Sequence, residues 1–185
     1  MEIATIHRPI HGERVCGDVS LVHRGETTLV ALADGLGHGP QAAEAAQAFC
    51  DFLAQHPDEP MEYLLRSASS AVSGTRGLAG GVLRFDERTH QVEFAGVGNI
   101  EVNAVSQSPI RPVCSPGIIG RPIRVIKPYQ FAVVPGDLLV MHSDGLSSRM
   151  DLASLRTLAP AALAEKLLEL YGKRHDDASC VVVRY

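Results

Sequence analysis

Apolar runs and polar turns along the chain predict helices early, strands in the middle, and a helix and a strand last. Residues 19–22 and 28–33 predict two strands around a turn, and the second run is apolar enough for a strand buried on both faces. Pro40 opens an alanine-rich segment that predicts a helix. Residues 61–72 predict a second helix, because the apolar residues on one face recur at helical spacing: Met61, Leu64, Leu65 and Ala68.

The second half of the chain changes to short strands and turns. Strands are expected at residues 80–85, 91–95, 99–105, 123–134, 138–142 and 178–184. A loop rich in Pro and Gly, Pro109–Pro122, separates two of them, and a helix with a break at Pro160 is expected over 155–170. This order predicts an α+β fold, since strands and helices do not alternate regularly.

Composition narrows the class of protein. A chain of 185 residues with 45% hydrophobic residues fits one globular domain with a real core. The net charge of −4 and the lack of a long Lys/Arg run argue against nucleic acid as a partner. We find no apolar stretch of membrane length and no signal-peptide pattern, so we expect no membrane partner and a cytoplasmic location. The four cysteines have no zinc-type spacing and are interpreted as buried thiols.

Two segments, LVALADG (29–35) and LVMHSDG (139–145), each consist of an apolar strand that ends in Asp-Gly. A single Asp-Gly pair is an ordinary turn signal. However, a three-residue loop over 25–27 places Asp18 directly opposite Asp34 on one face of a hairpin, whereas a two-residue loop places them on opposite faces. The positions of the other aspartates therefore decide how Asp34 is interpreted.

Asp144 leaves the strand over 138–143, and Asp176 precedes the final strand. If these strands are antiparallel neighbours, all four aspartates gather at one end of the sheet structure. Clustered carboxylates without cationic partners repel one another, and all-oxygen sites of this kind bind hard divalent cations. A divalent metal site and a set of unrelated turn aspartates both remain open at this point.

Other interpretations of the glycine-rich stretch ADGLGHG (33–39) are weaker. A dinucleotide-binding GxGxxG pattern fails because residue 40, where its last glycine should stand, is Pro. A phosphate-binding loop of the Walker type fails because the Gly-Lys-Ser/Thr element is missing.

Five motifs in order, CGD (16–18), ADGLGHG (33–39), GVGN (96–99), HSDGL (142–146) and HDDAS (175–179), resemble the metal-dependent protein phosphatases of the protein phosphatase 2C type. The resemblance is strongest to the compact bacterial stress and sporulation branch, above all to stressosome phosphatases. It implies a four-layer α–β–β–α sandwich of two antiparallel sheets flanked by helices. It also implies one phosphatase domain over 1–185, without the flap segment of larger relatives or an extra regulatory domain.

The resemblance implies two Mn²⁺ or Mg²⁺ ions at one end of the sandwich. Asp34 would bridge them, the Gly35 carbonyl would bind one, and Asp144 and Asp176 would hold the other. Asp18 would lie in or just behind the ligand shell, so Asp34 and Asp18 are also the expected catalytic residues. Asp176 is favoured over Asp177 because it matches the first aspartate of the family motif. The implied reaction is hydrolysis of phosphoserine or phosphothreonine on a protein by a metal-activated water.

Two residues depart from the better-known relatives. Leu36 stands where those relatives carry a histidine, and His38 two residues later is expected either to protonate the leaving group or to pack the turn. Arg14 is the nearest match to their phosphate-binding arginine, although a solvated arginine at a strand edge is the simpler interpretation.

By resemblance, the expected partner is a phosphorylated scaffold or anti-sigma-factor antagonist of the STAS type. Two alternatives stay open, a catalytically weak phosphoprotein-binding regulator of the same fold and a metallohydrolase of small phosphoesters.

Overall fold

In the computed structural model of residues 1–185, nine strands form two antiparallel sheets, with helices on the outer face of each. The strands are β1 (Glu2–Arg8), β2 (Asp18–Arg24), β3 (Thr28–Gly35), β4 (Leu78–Asp86), β5 (Gln91–Val97), β6 (Glu101–Val105), β7 (Tyr129–Ala132), β8 (Leu138–His142) and β9 (Ala178–Arg184). The helices are α1 (Pro40–Gln55), α2 (Met61–Ala71), α3 (Leu152–Leu155) and α4 (Pro160–Tyr171). One sheet has the order β2-β3-β4-β5-β7, and the other has the order β1-β9-β8-β6.

Three apolar clusters define four layers. One cluster joins α1 and α2 to the five-stranded sheet, a second lies between the sheets, and a third joins α4 to the four-stranded sheet. The α–β–β–α sandwich expected from the motifs is therefore confirmed, as is the α+β class.

Strand β3 shows why its sequence is apolar on both faces. Its odd-numbered residues pack toward α1 and α2, whereas Val30 and Leu32 pack into the layer between the sheets. Because side chains alternate along a strand, the next even residue, Asp34, lies on the inter-sheet face at the end of the same strand. The fold thus carries a carboxylate to the edge of its central core.

Most predicted elements form close to their expected bounds, but one predicted strand is much shorter than expected and one strand was not predicted. Of the strand expected at 123–134, only β7 forms. Pro128 has no N–H to donate to a neighbouring strand, and the backbone before it bonds to side chains from other segments. The Arg66 guanidinium donates to the Ile123 carbonyl at 3.0 Å, and the Lys127 N–H donates to Oγ of Ser115 at 3.0 Å.

The break expected at Pro160 in the helix over 155–170 is present: α3 ends at Leu155, and Pro160 begins α4 at its first turn. The edge strand β1 was missed altogether; it is half-exposed and lacks clear alternation, yet it pairs with β9 along its whole length. None of the helices combines the length and apolar character needed to cross a lipid bilayer.

Candidate metal centre

Asp18 and Asp34 face each other across the β2–β3 hairpin. The register pairs Asp18 with Asp34 and Arg24 with Thr28, so the loop has the three residues on which this pairing depends. Asp18 is buried, with 4% of its surface exposed, and Asp34 is half-buried. The hairpin therefore places two carboxylates on the same face, as predicted.

The four-stranded sheet brings Asp144 and Asp176 to the same end of the sandwich. Strands β8 and β9 are antiparallel neighbours, and their register pairs His142 with Cys180. Asp144 follows the end of β8 and Asp176 precedes the start of β9, so the two residues meet at one edge. Both are half-buried.

The glycines of the two Asp-Gly pairs allow another backbone segment to pack closely against them. A Cβ on Gly145 would lie 1.8 Å from the carbonyl oxygen of Asp177, and one on Gly35 would lie 2.0 Å from that of Ala42 in α1. Neither glycine has a positive φ, and Gly35 is still part of β3. Each aspartate is thus fixed beside another segment of the chain because the residue after it has no side chain.

The Gly35 carbonyl is left without its usual partners. The Gly35 N–H donates to the Gly17 carbonyl at 3.2 Å, but the Gly17 N–H donates to Oδ2 of Asp177 at 3.0 Å instead of returning the bond. On the other side, the Leu78 N–H donates to the Ile119 carbonyl at 3.0 Å. The carbonyl oxygen of Gly35 is consequently not engaged by the backbone on either side of it.

Asp177 has a structural role that is distinct from that of Asp176. It is buried, and besides Gly17 its carboxylate accepts a bond from the Ile10 N–H at 2.8 Å. It therefore holds both ends of the loop over 10–17 that leads into β2. Asp176 accepts only the N–H of Asp177, at 3.0 Å, and stays partly open to solvent.

One further group of potential ligands lies beside these aspartates: Cys16, Asp18 and Asp177 have ligand atoms within 4.8 Å of one another. Burial raises the pKa of the Cys16 thiol to about 12, so at neutral pH it carries its proton. Since Asp177 is bonded to two backbone N–H groups, we interpret this group as structural.

Two buried serines connect the sheets at this end, and sequence reasoning gave them no role. The Ser179 hydroxyl donates to Oδ2 of Asp18 at 2.5 Å and lies 3.2 Å from the hydroxyl of Ser143. Both serines are fully buried. The only signal in the sequence was their place inside the HSDGL and HDDAS motifs.

Asn99 and Lys173 position Asp144 and were also missed. The Asn99 amide donates to Oδ2 of Asp144 at 2.7 Å, and the Lys173 ammonium donates to the Asp144 backbone carbonyl at 2.6 Å. Gly98 has φ +98° and packs against Ala79, which fixes the turn that presents Asn99. The GVGN motif marked this turn without indicating its contact.

The electrostatics of the four aspartates fit a divalent cation. Burial, and then the negative charges of Asp18, Asp144 and Asp176, raise the pKa of Asp34 to about 8. Burial also raises the pKa of Asp18 to about 6, and Oδ1 of Asp18 is a buried oxygen without a hydrogen-bond partner. No side-chain ion pair neutralises any of the four. Carboxylates with this much unbalanced charge suit Mg²⁺ or Mn²⁺, which prefer oxygen ligands.

His38 and Arg14 lie at the rim rather than in the cluster. Nδ1 of His38 is 2.9 Å from Oε1 of Glu13, and the His38 side chain is 56% exposed, so it does not pack the turn. Arg14 follows Glu13 in the same loop, is exposed, and makes no ion pair.

The cysteines do not supply a nucleophile. All four are free thiols, and burial raises the pKa of each to about 12. The reactive thiolate is therefore scarce at neutral pH.

With its two-sheet sandwich and a cluster of aspartates at one end, the protein is a metal-dependent protein phosphatase of the protein phosphatase 2C type. Residues 24–185 match the family described as Stage II sporulation protein E (SpoIIE). The chain belongs to this SpoIIE family.

Relatives agree with this assignment. The chain is 25% identical over 139 residues to the phosphoserine phosphatase RsbX of Bacillus subtilis (strain 168), covering 74% of this chain and 70% of RsbX. A structure from work on the bacterial stressosome, described as a modular system adapted to control secondary messenger signaling, has 32% identity and a TM-score of 0.94, over 99% of this chain and 98% of that chain. A crystal structure of RsbX in complex with magnesium has 22% identity and a TM-score of 0.85, over 97% and 92% of the two chains.

Proposed function

We propose that this phosphatase removes phosphate from phosphoserine or phosphothreonine on a bacterial signalling protein, using two Mn²⁺ or Mg²⁺ ions. Their ligands would be Asp18, Asp34, the Gly35 carbonyl, Asp144 and Asp176. The observation that carries the proposal is the convergence of four aspartates from two sheets, none of which forms an ion pair with a cationic side chain.

The positions of the ligands suggest their division of labour. Asp34 is repelled by all three other carboxylates, so it is the residue best placed to be shared between two cations. Asp18 is held from behind by Ser179, and Asp144 is held by Asn99, which fixes the orientation of both side chains. Divalent cations at such a site polarise phosphoryl oxygens and lower the pKa of water, which allows hydrolysis without a covalent phosphoenzyme.

His38 is proposed as the group that delivers a proton to the departing serine or threonine oxygen. Its Nδ1 is engaged by Glu13, which fixes the ring, and its Nε2 makes no hydrogen bond within the protein. Arg14, exposed and without an ion-pair partner, is proposed to bind phosphate at the same rim.

The substrate is proposed to be a component of a partner-switching pathway, specifically a STAS-domain scaffold or anti-sigma-factor antagonist. Support comes from the likeness to a protein studied as part of the bacterial stressosome and to the phosphoserine phosphatase RsbX.

The central test replaces Asp34 with Asn. We expect Asp34→Asn to abolish Mn²⁺-dependent hydrolysis of both p-nitrophenyl phosphate and a phosphorylated STAS-domain protein, while the circular dichroism spectrum stays unchanged. Asp58→Asn, at an exposed position far from the cluster in sequence, is the matched control and should keep full activity. Undiminished activity of Asp34→Asn would refute the metal-centre assignment.

The same assays separate the alternatives. A wild-type protein that binds the phosphoprotein but hydrolyses neither substrate would be a binding regulator. Faster turnover of a panel of small phosphoesters than of the phosphoprotein would indicate a small-molecule hydrolase.

The role of His38 is tested by the choice of leaving group. p-Nitrophenolate leaves without needing a proton, whereas a serine alkoxide needs one. His38→Ala should therefore slow kcat for a phosphoserine substrate by about 10²–10⁴-fold and leave p-nitrophenyl phosphate hydrolysis nearly unchanged. Equal loss on both substrates, or no loss on either, would contradict this role.

A further inference from the structure

A groove begins at the metal centre and follows the edge of the four-stranded sheet. Its volume is about 780 Å³, and Asn99 and Asp144 line the end at the cluster. One wall is formed by the loop over 110–114 and the other by residues 148–153, with β6 between them. The groove is therefore continuous with the site at which phosphate is expected to bind.

Strand β6 has an unpaired edge in this groove. It is the last strand of its sheet, and its only ladder is with β8. The Ser143 N–H bonds to the Ser179 carbonyl at 3.1 Å, and hydrogen-bonded pairs alternate along an antiparallel ladder. Met141 and Leu139 thus face β9, and the residues of β8 that face β6 are His142, Val140 and Leu138.

The register between β6 and β8 then fixes which way each β6 backbone group points. Those three residues of β8 pair with Glu101, Asn103 and Val105. The N–H and C=O groups of Val102 and Ala104 consequently point away from the sheet, toward the open edge. The side chains of these two residues face the core between the sheets, so the edge exposes mainly backbone.

The walls suit a neutral extended chain. The apolar residues along them include Ile110, Val113, Met150 and Leu152, and Val113 is 66% exposed. The charged residues are mixed, with Arg111 on one wall and Asp151 on the other. Apolar walls on both sides of an unpaired strand edge match the way peptides are recognised by strand addition.

We propose that an extended segment of the substrate protein, next to its phosphorylated residue, binds along the edge of β6 as an added strand. This inference rests on the proposed phosphoprotein function and deepens it, because it states how the polypeptide around the phosphate is held. The five residues of β6 give room for a partner of about 17 Å. Recognition would depend on backbone hydrogen bonds and therefore tolerate many sequences.

The first test uses phosphoserine peptides with about five alternating Val and Thr residues on each side of the phosphoserine, a length matched to β6. Single N-methyl groups are placed at successive positions. On one side of the phosphoserine, a methyl group at every second position should lower kcat/KM about fivefold, because each such methyl removes one hydrogen bond to β6. A methyl group at the positions between them should have little effect. A series without this alternation would overturn the proposal.

The second test blocks the groove. Val113→Asp should lower kcat/KM for the unmethylated peptide about tenfold or more, because it places a charge on an apolar wall. Hydrolysis of p-nitrophenyl phosphate, which does not reach the groove, should stay unchanged. The matched control is Val125→Asp, since Val125 is 62% exposed in the same irregular segment but outside the groove.

The outcomes distinguish this inference from the proposed function. If neither p-nitrophenyl phosphate nor the peptides are hydrolysed, the proposed function fails. If both are hydrolysed and Val113→Asp behaves as Val125→Asp, the strand-addition proposal alone fails. A wild-type dimer that Val113→Asp converts to a monomer would also overturn it, by assigning the edge of β6 to a second copy of the chain.

Discussion

The Ser179 hydroxyl donates a 2.5 Å hydrogen bond to the carboxylate of Asp18, and this bond joins β9 of the four-stranded sheet to β2 of the five-stranded sheet. The other carboxylate oxygen of Asp18, Oδ1, has no hydrogen-bond partner. Ser179 therefore holds Asp18 in place and leaves Oδ1 available to bind a cation. The contact links the stability of the sandwich to the geometry of the metal centre.

Ser179→Ala should weaken both properties. Removing the hydroxyl leaves a buried carboxylate oxygen unpaired, at a cost of about 1–3 kcal/mol in the free energy of unfolding. Affinity for Mn²⁺ should fall about 10–100-fold, because Asp18 loses the group that orients it. Urea unfolding and calorimetric titration with Mn²⁺ would measure these effects. Ser70→Ala removes an exposed serine hydroxyl that bonds within α2, and it should change neither.

The metal-free protein should lose stability as the pH rises. Asp34 and Asp18 have pKa values raised from 3.8 to about 8 and about 6, so the folded state binds their protons more tightly than the unfolded chain does. Their contribution is complete below about pH 4 and is lost as the pH passes through these two values. The Tm of the metal-free protein should therefore fall between about pH 5 and pH 9.

Two comparisons isolate this effect. Asp34→Asn removes the group with the higher pKa, so its Tm should depend less on pH over the same range. Mn²⁺ should raise the wild-type Tm more at the alkaline end, since the ligands must lose their protons to bind a cation. A metal-free Tm that rises with pH in parallel for both proteins would contradict the prediction.

Asp176 and Asp177 should respond differently to truncation. Asp177→Ala leaves the Ile10 and Gly17 N–H groups without their acceptor, and each unpaired group costs about 1–3 kcal/mol of folding stability. Asp176→Ala removes the acceptor of only one N–H, at a site partly open to solvent, so it should cost less stability than Asp177→Ala. It should reduce Mn²⁺ affinity by more than the roughly 10–100-fold expected for residues that only orient ligands. Thermal unfolding of both variants without metal, followed by Mn²⁺ titration, would check this. The reverse pattern would make Asp177 the ligand.

Gly145→Ala should disrupt the centre, although alanine is the smallest possible change. The added Cβ would lie 1.8 Å from the Asp177 carbonyl oxygen, so the backbone after Asp144 must move away from the start of β9. We expect a loss of at least about 1–3 kcal/mol in stability and of measurable Mn²⁺ binding. Gly74→Ala is the control, because nothing lies within 4 Å of its added Cβ and its φ is not positive. Equal behaviour of the two variants would contradict the close-contact role.

Loop lengths and the alternation of side chains along strands predicted which aspartates lie close together. The period of two along strands predicted that Asp18 would lie opposite Asp34 if the loop before Thr28 had three residues, and the structure supplies that loop length. The same reasoning brought Asp144 and Asp176 together once β8 and β9 were assumed to be neighbours. Resemblance to a phosphatase family supplied the layers of the fold and the type of chemistry.

Contacts between segments that are distant along the chain could not be predicted from the sequence. Ser179 and Asp18 are separated by 161 residues, and nothing local in either motif indicates that one hydroxyl reaches the other carboxylate. The close packing of another backbone segment against Gly35 and Gly145 leaves no local pattern, because Asp-Gly is also an ordinary turn signal. Strand β1 was missed for a related reason, since an edge strand draws its stability from a partner at the far end of the chain.

The division of the four aspartates between the sheets has a mechanical consequence. Asp18 and Asp34 belong to the five-stranded sheet, and Asp144 and Asp176 flank strands of the four-stranded sheet. Divalent ions bound by ligands from both pairs, as proposed above, would connect the two sheets directly. A slide of one sheet over the other by one residue would separate the ligands of the two sheets. The alignment of the two sheets, and not any single loop, would therefore determine whether the metal centre can form.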